Sequence, residues 1–138
     1  MKVRELMQSQ PVTVGEDTLA KDAYETMRSQ RFRHLPVVDK QNRLVGMVSD
    51  RDILNVAVML EKRPDGPGEY LIGDDVKIRS IMTAEPTTVS PDDNVSQVVD
   101  VMLGLTISGL PVVDNRKLVG IVTNTDLLRL LRKLSDNL

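Results

Sequence analysis

Two tetrapeptides in this chain have the residue types and spacing to do chemistry: Ser-Asp-Arg-Asp at 49–52 and Thr-Asn-Thr-Asp at 123–126. Each sets an acid three residues after a hydroxyl, directly behind an apolar run, LVGMVS or LVGIVT. The spacing is that of a capping box, in which the hydroxyl accepts a bond from a first-turn backbone N–H and the acid meets the positive end of the helix. The same geometry serves a ligand. A carboxylate at a helix start beside a cleft can accept bonds from both vicinal hydroxyls of a ribose, while nearby N–H groups face phosphate. Cap and ligand contact are compatible, so Ser49, Asp52, Thr123 and Asp126 are candidates on both readings.

The two motifs differ in their charged surroundings. RFRHLP at 31–36 faces TISGLP at 106–111, and Arg51 faces Thr125, so Arg31, Arg33, His34 and Arg51 have no ionised counterpart. Arg holds phosphate bidentately and a His beside phosphate tends to stay protonated. The other reading for each is a solvated surface charge. On the first reading the two sites are unequal, and a phosphorylated ligand depends on Arg33, His34 and Arg51.

These motifs belong to a longer repetition. LPVVDKQNRLVGMVSDRDIL at 35–54 is nearly rewritten as LPVVDNRKLVGIVTNTDLL at 110–128. Leu6-Met7 falls on Ile81-Met82, Pro11 on Pro86, Val14 on Val89 and Met27 on Met102, all at an offset of 75 that drops to 74 in the turn after LPVVD. A fixed period that absorbs its one deletion in a turn marks duplicated structural units. Within each copy, Ala20, Ala23 and Met27, or Val95, Val98 and Met102, recur at helical spacing after the turn-prone GEDT or SPDD. LPVVD is a short buried strand, a polar turn leads to a second strand, and a helix opens at Ser49 or Thr123. Gly46 and Gly120 interrupt those second strands, either for tight packing or to leave room for a ligand close to the backbone.

Each copy therefore runs strand, helix, strand, strand, helix, an α+β arrangement. The expected division is residues 1–60, a Pro- and Gly-rich loop at 61–75, and residues 76–138. Neither copy alone buries much surface, so the stable object is expected to be a pseudo-two-fold pair packed sheet to sheet. In the tail, Leu127, Leu130, Leu131 and Leu134 share one helical face, directed to the core or to a second chain.

Composition narrows the function. Among 138 residues there is one Phe, two Tyr, no Trp and no Cys, with a formal charge of −2. Nucleic-acid binding lacks its aromatic platforms and clustered positive surface. The missing Cys leaves no thiolate nucleophile or Cys-ligated metal, and no apolar run approaches the ~20 residues of a spanning helix. MKVRELMQSQ has no apolar signal core, so a cytoplasmic location is the expectation. Catalysis finds no HExxH, GxSxG or Walker pattern and a single His, so neither a catalytic residue, a metal site nor a required cofactor is expected.

Taken with LPVVD, the hairpin, LVG and the SDRD or TNTD endings, written twice, the chain resembles a tandem pair of CBS (cystathionine beta-synthase) domains, or Bateman module, over essentially its whole length. The resemblance implies a regulatory module that binds an adenosine-containing ligand (AMP, ADP, ATP, S-adenosylmethionine or a dinucleotide such as NAD) between the two domains and signals to a protein target, often as a homodimer. It assigns Ser49, Asp52, Thr123 and Asp126 to ribose. It sets backbone groups of Val12, Thr13, Thr87 and Thr88, with Pro36 and Pro111, against adenine; by pattern alone those are edge and turn residues. Arg33, His34 and Arg51 are the phosphate candidates. The competing expectation is a ligand-independent interaction scaffold, whose motifs are only cap and core.

Overall fold

The computed structural model describes residues 1–59 and 70–137. Its elements are α1 (Val3–Leu6), β1 (Gln8–Ser9), α2 (Ala20–Gln30), β2 (His34–Val38), β3 (Leu44–Ser49), α3 (Asp50–Leu54), β4 (Val58–Met59), β5 (Tyr70–Leu71), a 3-10 turn at Ile78–Ser80, β6 (Thr83–Ala84), α4 (Val95–Leu105), β7 (Gly109–Asp114), β8 (Lys117–Thr123) and α5 (Asn124–Ser135). The repeat is visible in this order. Two three-stranded sheets, β2-β3-β6 and β1-β8-β7, carry the two copies' hairpins, and a small β4-β5 pair stands apart.

The compact units do not follow the repeat. The N-terminal unit comprises Val12–Lys40 and Val45–Glu85, and the C-terminal unit Met1–Pro11, Gln41–Leu44 and Pro86–Leu138. Each unit thus joins the helices and hairpin of one copy to the leading segment of the other. Val3 and Ile78, at matching positions of the two leading segments, are both 0% exposed. Burying a side chain of this kind contributes about 1.5–3 kcal/mol.

In the N-terminal unit Ala20, Ala23 and Met27 of α2 face Leu35, Val37, Val48 and Ile53, with Ile78 closing the cluster. In the C-terminal unit Val98 and Met102 of α4 meet Leu110, Val112 and Val122, with Val3 in the equivalent place. Matching ion pairs guide the docking: Arg79 with Asp17 in one unit, Arg4 with Asp92 in the other. The guanidinium hydrogen-bonded to each acid holds its carboxyl below the usual carboxylate range. All four side chains are well exposed, so these pairs orient the segment more than they stabilise it.

Strand pairing departs from the sequence expectation. Val14 and Val89, matched in the repeat, make single parallel bridges to Val37 and Val112, while the paired leading strands lie upstream of each at β1 and β6. Neither α1 nor the 3-10 turn was expected, being too short for a period to register. Tyr70–Leu71 pairs with Val58–Met59, where the loop at 61–75 was expected to be irregular; the rest of that loop up to residue 69 lies outside the described residues.

Both long helices before the hairpins end left-handed on non-glycine residues, at Arg31 (φ 59°) and Thr106 (φ 54°). The tail forms a helix as expected, but Leu131 and Leu134 are exposed and only Leu127 packs on the core. A five-residue helix suffices after β3, whereas α5 runs for 12 residues. Of the two directions expected for the Leu127, Leu130, Leu131 and Leu134 stripe, to the core or to a second chain, the core direction holds for its first turn, at Leu127.

Candidate functional site

Each motif is built where a buried strand turns directly into a helix. Ser49 ends β3 in extended conformation and caps α3. Its N–H donates to Asp52 Oδ2 at 2.8 Å, and its hydroxyl accepts from Asp52 N–H at 3.2 Å. Thr123 ends β8 in the same way: its N–H donates to Asp126 Oδ2 at 2.8 Å, and its hydroxyl lies 3.3 Å from that oxygen. The capping box of the sequence reading is present in both copies.

The start of the preceding strand is tied to the same corner. Asp50 N–H donates to the Arg33 carbonyl at 3.0 Å, and Asn124 N–H to the Ser108 carbonyl at 2.9 Å. Arg33 is therefore brought beside the α3 corner, with its side chain in solvent; Arg51, on α3, is also exposed. His34 is half-buried there. Desolvation lowers its pKa, the nearby Asp50 and Asp52 oppose that, and Arg33 adds to it. The sequence expectation of a protonated His34 holds only if an anion supplies more negative charge than these two acids already do.

The proposed adenine segments are brought to the strands by backbone bonds. Val14 N–H donates to the Pro36 carbonyl at 3.1 Å and the Val14 carbonyl accepts from Val38 N–H at 2.9 Å. Val89 does the same with Pro111 and Val113, at 3.1 and 2.9 Å. Val12 and Thr13 are half-buried beside buried Pro36, whereas Thr87 and Thr88 are exposed beside buried Pro111. Val12, Thr13, Arg33, His34, Pro36, Ser49, Arg51 and Asp52 all fall within the N-terminal unit, and Thr87, Thr88, Pro111, Thr123 and Asp126 within the C-terminal one.

The two glycines are resolved in favour of packing. A Cβ on Gly46 would lie 2.5 Å from Met82 Sδ and 3.0 Å from the Thr83 carbonyl; on Gly120 it would lie 2.7 Å from Met7 Sδ and 3.0 Å from the Gln8 carbonyl. The space that could have admitted a ligand is filled by the leading strand and its Met. One residue absent from the sequence expectation reaches a candidate site: Gln8 Nε2 donates to Asp126 Oδ1 at 2.9 Å. Nothing near residue 8 in sequence signals a contact 118 residues away.

Among the described residues no cluster of three or more His, Asp or Glu could hold a metal, and no helix is long and apolar enough to cross a membrane. Fold and site together define a duplicated α+β module with one capped acid per unit, set beside a buried proline strand. The CBS domain profile matches residues 3–58 and 78–133. The chain belongs to the CBS-domain family, as a tandem pair of CBS domains.

Similar proteins span the same length. A CBS domain-containing protein of Dictyostelium discoideum is 33% identical over 136 residues, covering 97% of this chain and 93% of that one. A CBS domain pair solved in complex with 5′-methylthioadenosine and S-adenosyl-L-methionine matches with a TM-score of 0.80 at 30% identity, over 96% and 97% of the two chains. CBSX2 in complex with AMP matches with a TM-score of 0.80 at 25% identity, over 97% and 98%. Other curated relatives are longer, some of them named enzymes, and the chain spans 15%, 23% or 42% of their length.

Proposed function

We propose that this protein is a sensor of an adenosine-containing ligand, whose binding is reported to a protein target by a change of conformation. The observation that carries the proposal is the constellation built twice: a capped acid at a strand-to-helix corner, with a backbone-bonded segment laid against a buried proline of the same sheet. The acid supplies acceptors for a ribose, and Val12, Thr13, Thr87 and Thr88 with Pro36 and Pro111 offer backbone groups and an apolar wall to adenine. Arg33, Arg51 and His34 supply positive charge for phosphate. An adenine nucleotide of the AMP, ADP or ATP type is the ligand proposed, with S-adenosylmethionine or NAD the alternatives; solved pairs of similar sequence hold AMP or S-adenosylmethionine. No catalytic step is part of this role, and the shift in conformation is bounded by the ligand's differential affinity for the two states.

The test is thermal unfolding against AMP, ADP, ATP, adenosine, S-adenosylmethionine and NAD, with GMP as control. A ligand at about a hundred times its dissociation constant adds roughly 2.7 kcal/mol, several degrees for a chain of this size. A shift for an adenosine compound that disappears in Asp52→Asn or Asp126→Asn supports the proposal. No shift at millimolar ligand supports the scaffold instead, for which each Asn variant costs no more than a cap, ~1 kcal/mol.

Pairing of two chains is the second part of the proposal, favoured by the exposure of Leu128, Leu131 and Leu134 at 62%, 57% and 54% on α5. Sedimentation of the wild type as a dimer, and of Leu131→Glu with Leu134→Lys as a monomer, is the expected outcome.

A further inference from the structure

The two capped acids match in sequence and in backbone placement, yet their carboxylates are differently engaged. Asp126 is 5% exposed; its Oδ2 takes the Thr123 N–H and its Oδ1 takes the Gln8 amide. Asp52 is half-buried and bonds through Oδ2 alone, its Oδ1 accepting no hydrogen bond among the described residues. The position matching Gln8 in the other unit is Thr83. Both occupy equivalent register positions, Gln8 opposite Ile121 and Thr83 opposite Met47. Thr83 is exposed, and its side chain makes no hydrogen bond to Asp52 among the described residues. The contrast therefore lies in one side chain: Gln has the reach and an amide donor, and Thr is too short.

A vicinal diol needs two acceptor positions on a carboxylate. At Asp52 no hydrogen bond among the described residues holds the second oxygen, whereas at Asp126 a diol must displace an amide from a group that has little exposed surface left. Building on the adenosine proposal above, we infer that Gln8 is a specificity-determining residue for the Asp126 motif: its amide occupies the place of a ribose hydroxyl, so an adenosine ligand fills the Asp52 motif first. Gln8 lies in the leading segment of the first copy and acts on the motif of the second.

The experiment is calorimetric titration of the full chain with AMP, and with S-adenosylmethionine as a second probe. Gln8→Thr installs the residue the other unit already uses, and Gln8→Met keeps the length while removing the donor. Wild type is expected to bind one equivalent tightly, lost in Asp52→Asn, and a second at least tenfold more weakly. A hydrogen bond to a charged acceptor is strong enough that its loss shifts such a competition by about tenfold or more. Both Gln8 variants should tighten the second equivalent by that factor, and adding Asp126→Asn to either should abolish the gain. Two equal sites in the wild type, or a second site unchanged or weakened in both Gln8 variants, overturn the inference while leaving the adenosine proposal standing. Loss of the folded state in both variants makes the bond purely structural and overturns it as well. No binding of either probe to wild type or variants overturns the adenosine proposal and the inference together.

Discussion

Gly46 and Gly120 sit where two backbones approach so closely that a methyl group has no place. The obstacle at Gly120 is twofold, a flexible Met7 thioether and a fixed Gln8 carbonyl. Gly120→Ala is therefore expected to lower stability by about 1–3 kcal/mol in urea unfolding, with partial recovery when Met7→Ala removes the movable half of the clash. Lack of any recovery would assign the whole cost to the backbone contact. His34 provides a second test at this scale. Its folded pKa is lowered, chiefly by desolvation. The unfolded chain then binds the proton more readily, so the stabilising contribution is complete above the unfolded value of about 6.5 and is lost as pH falls through the folded value. Urea midpoints should decline from pH 7.5 to pH 5, and His34→Gln should flatten part of that decline. A steeper decline in the variant would mean that Asp50 and Asp52 outweigh burial. Residues of this kind were only half legible. The caps at Ser49 and Thr123 depend on neighbours three positions away and announce themselves in sequence, whereas the role of Gly120 depends on Met7 and Gln8, over a hundred positions off.

At the scale of elements, the hairpins and amphipathic helices follow from local periodicity and fall where the pattern puts them. The misses are short or non-local. α1 has four residues, the leading strands two each, and no period is defined over so few. The last helix is where the sequence leaves two readings open: a leucine stripe has the same appearance whether it meets a core or a second chain, and only tertiary packing separates Leu127 from Leu131 and Leu134. Helix ends offer the sharpest element-scale test. Thr106 closes α4 at φ 54°, a conformation a β-branched residue adopts at a cost. Thr106→Gly or Thr106→Asn is expected to add roughly 1 kcal/mol of stability and raise the unfolding midpoint by a few degrees. A lower midpoint in both variants would show that the Thr side chain makes a compensating contact.

For the whole molecule, the decisive feature is the exchange of leading segments between copies. The sequence repeat predicts two halves too small to be stable alone, and the family resemblance predicts the same pair; neither reveals that Val3 completes the core around Val112 and Val122 while Ile78 completes the one around Val37 and Val48. Deleting residues 2–9 is therefore expected to leave the neighbouring sequence in the N-terminal unit protected and to expose distant amides. Hydrogen exchange should rise first in β8 and α4, more than 80 residues downstream, rather than in α2. Early exchange in α2 would mean that the leading segment serves its own copy.

The same exchange sets an order in time. β1 emerges from the ribosome long before β8, its strand partner among the described residues, so residues 1–11 must wait for about a hundred more to be made. At ordinary synthesis rates that interval is on the order of ten seconds. During it, Val3 and Leu6 have nothing of their own copy to bury against. The nascent chain thus carries a partly apolar segment without its strand partner until β8 is made, and Lys2, Arg4 and Glu5 set three charges beside Val3 in that segment.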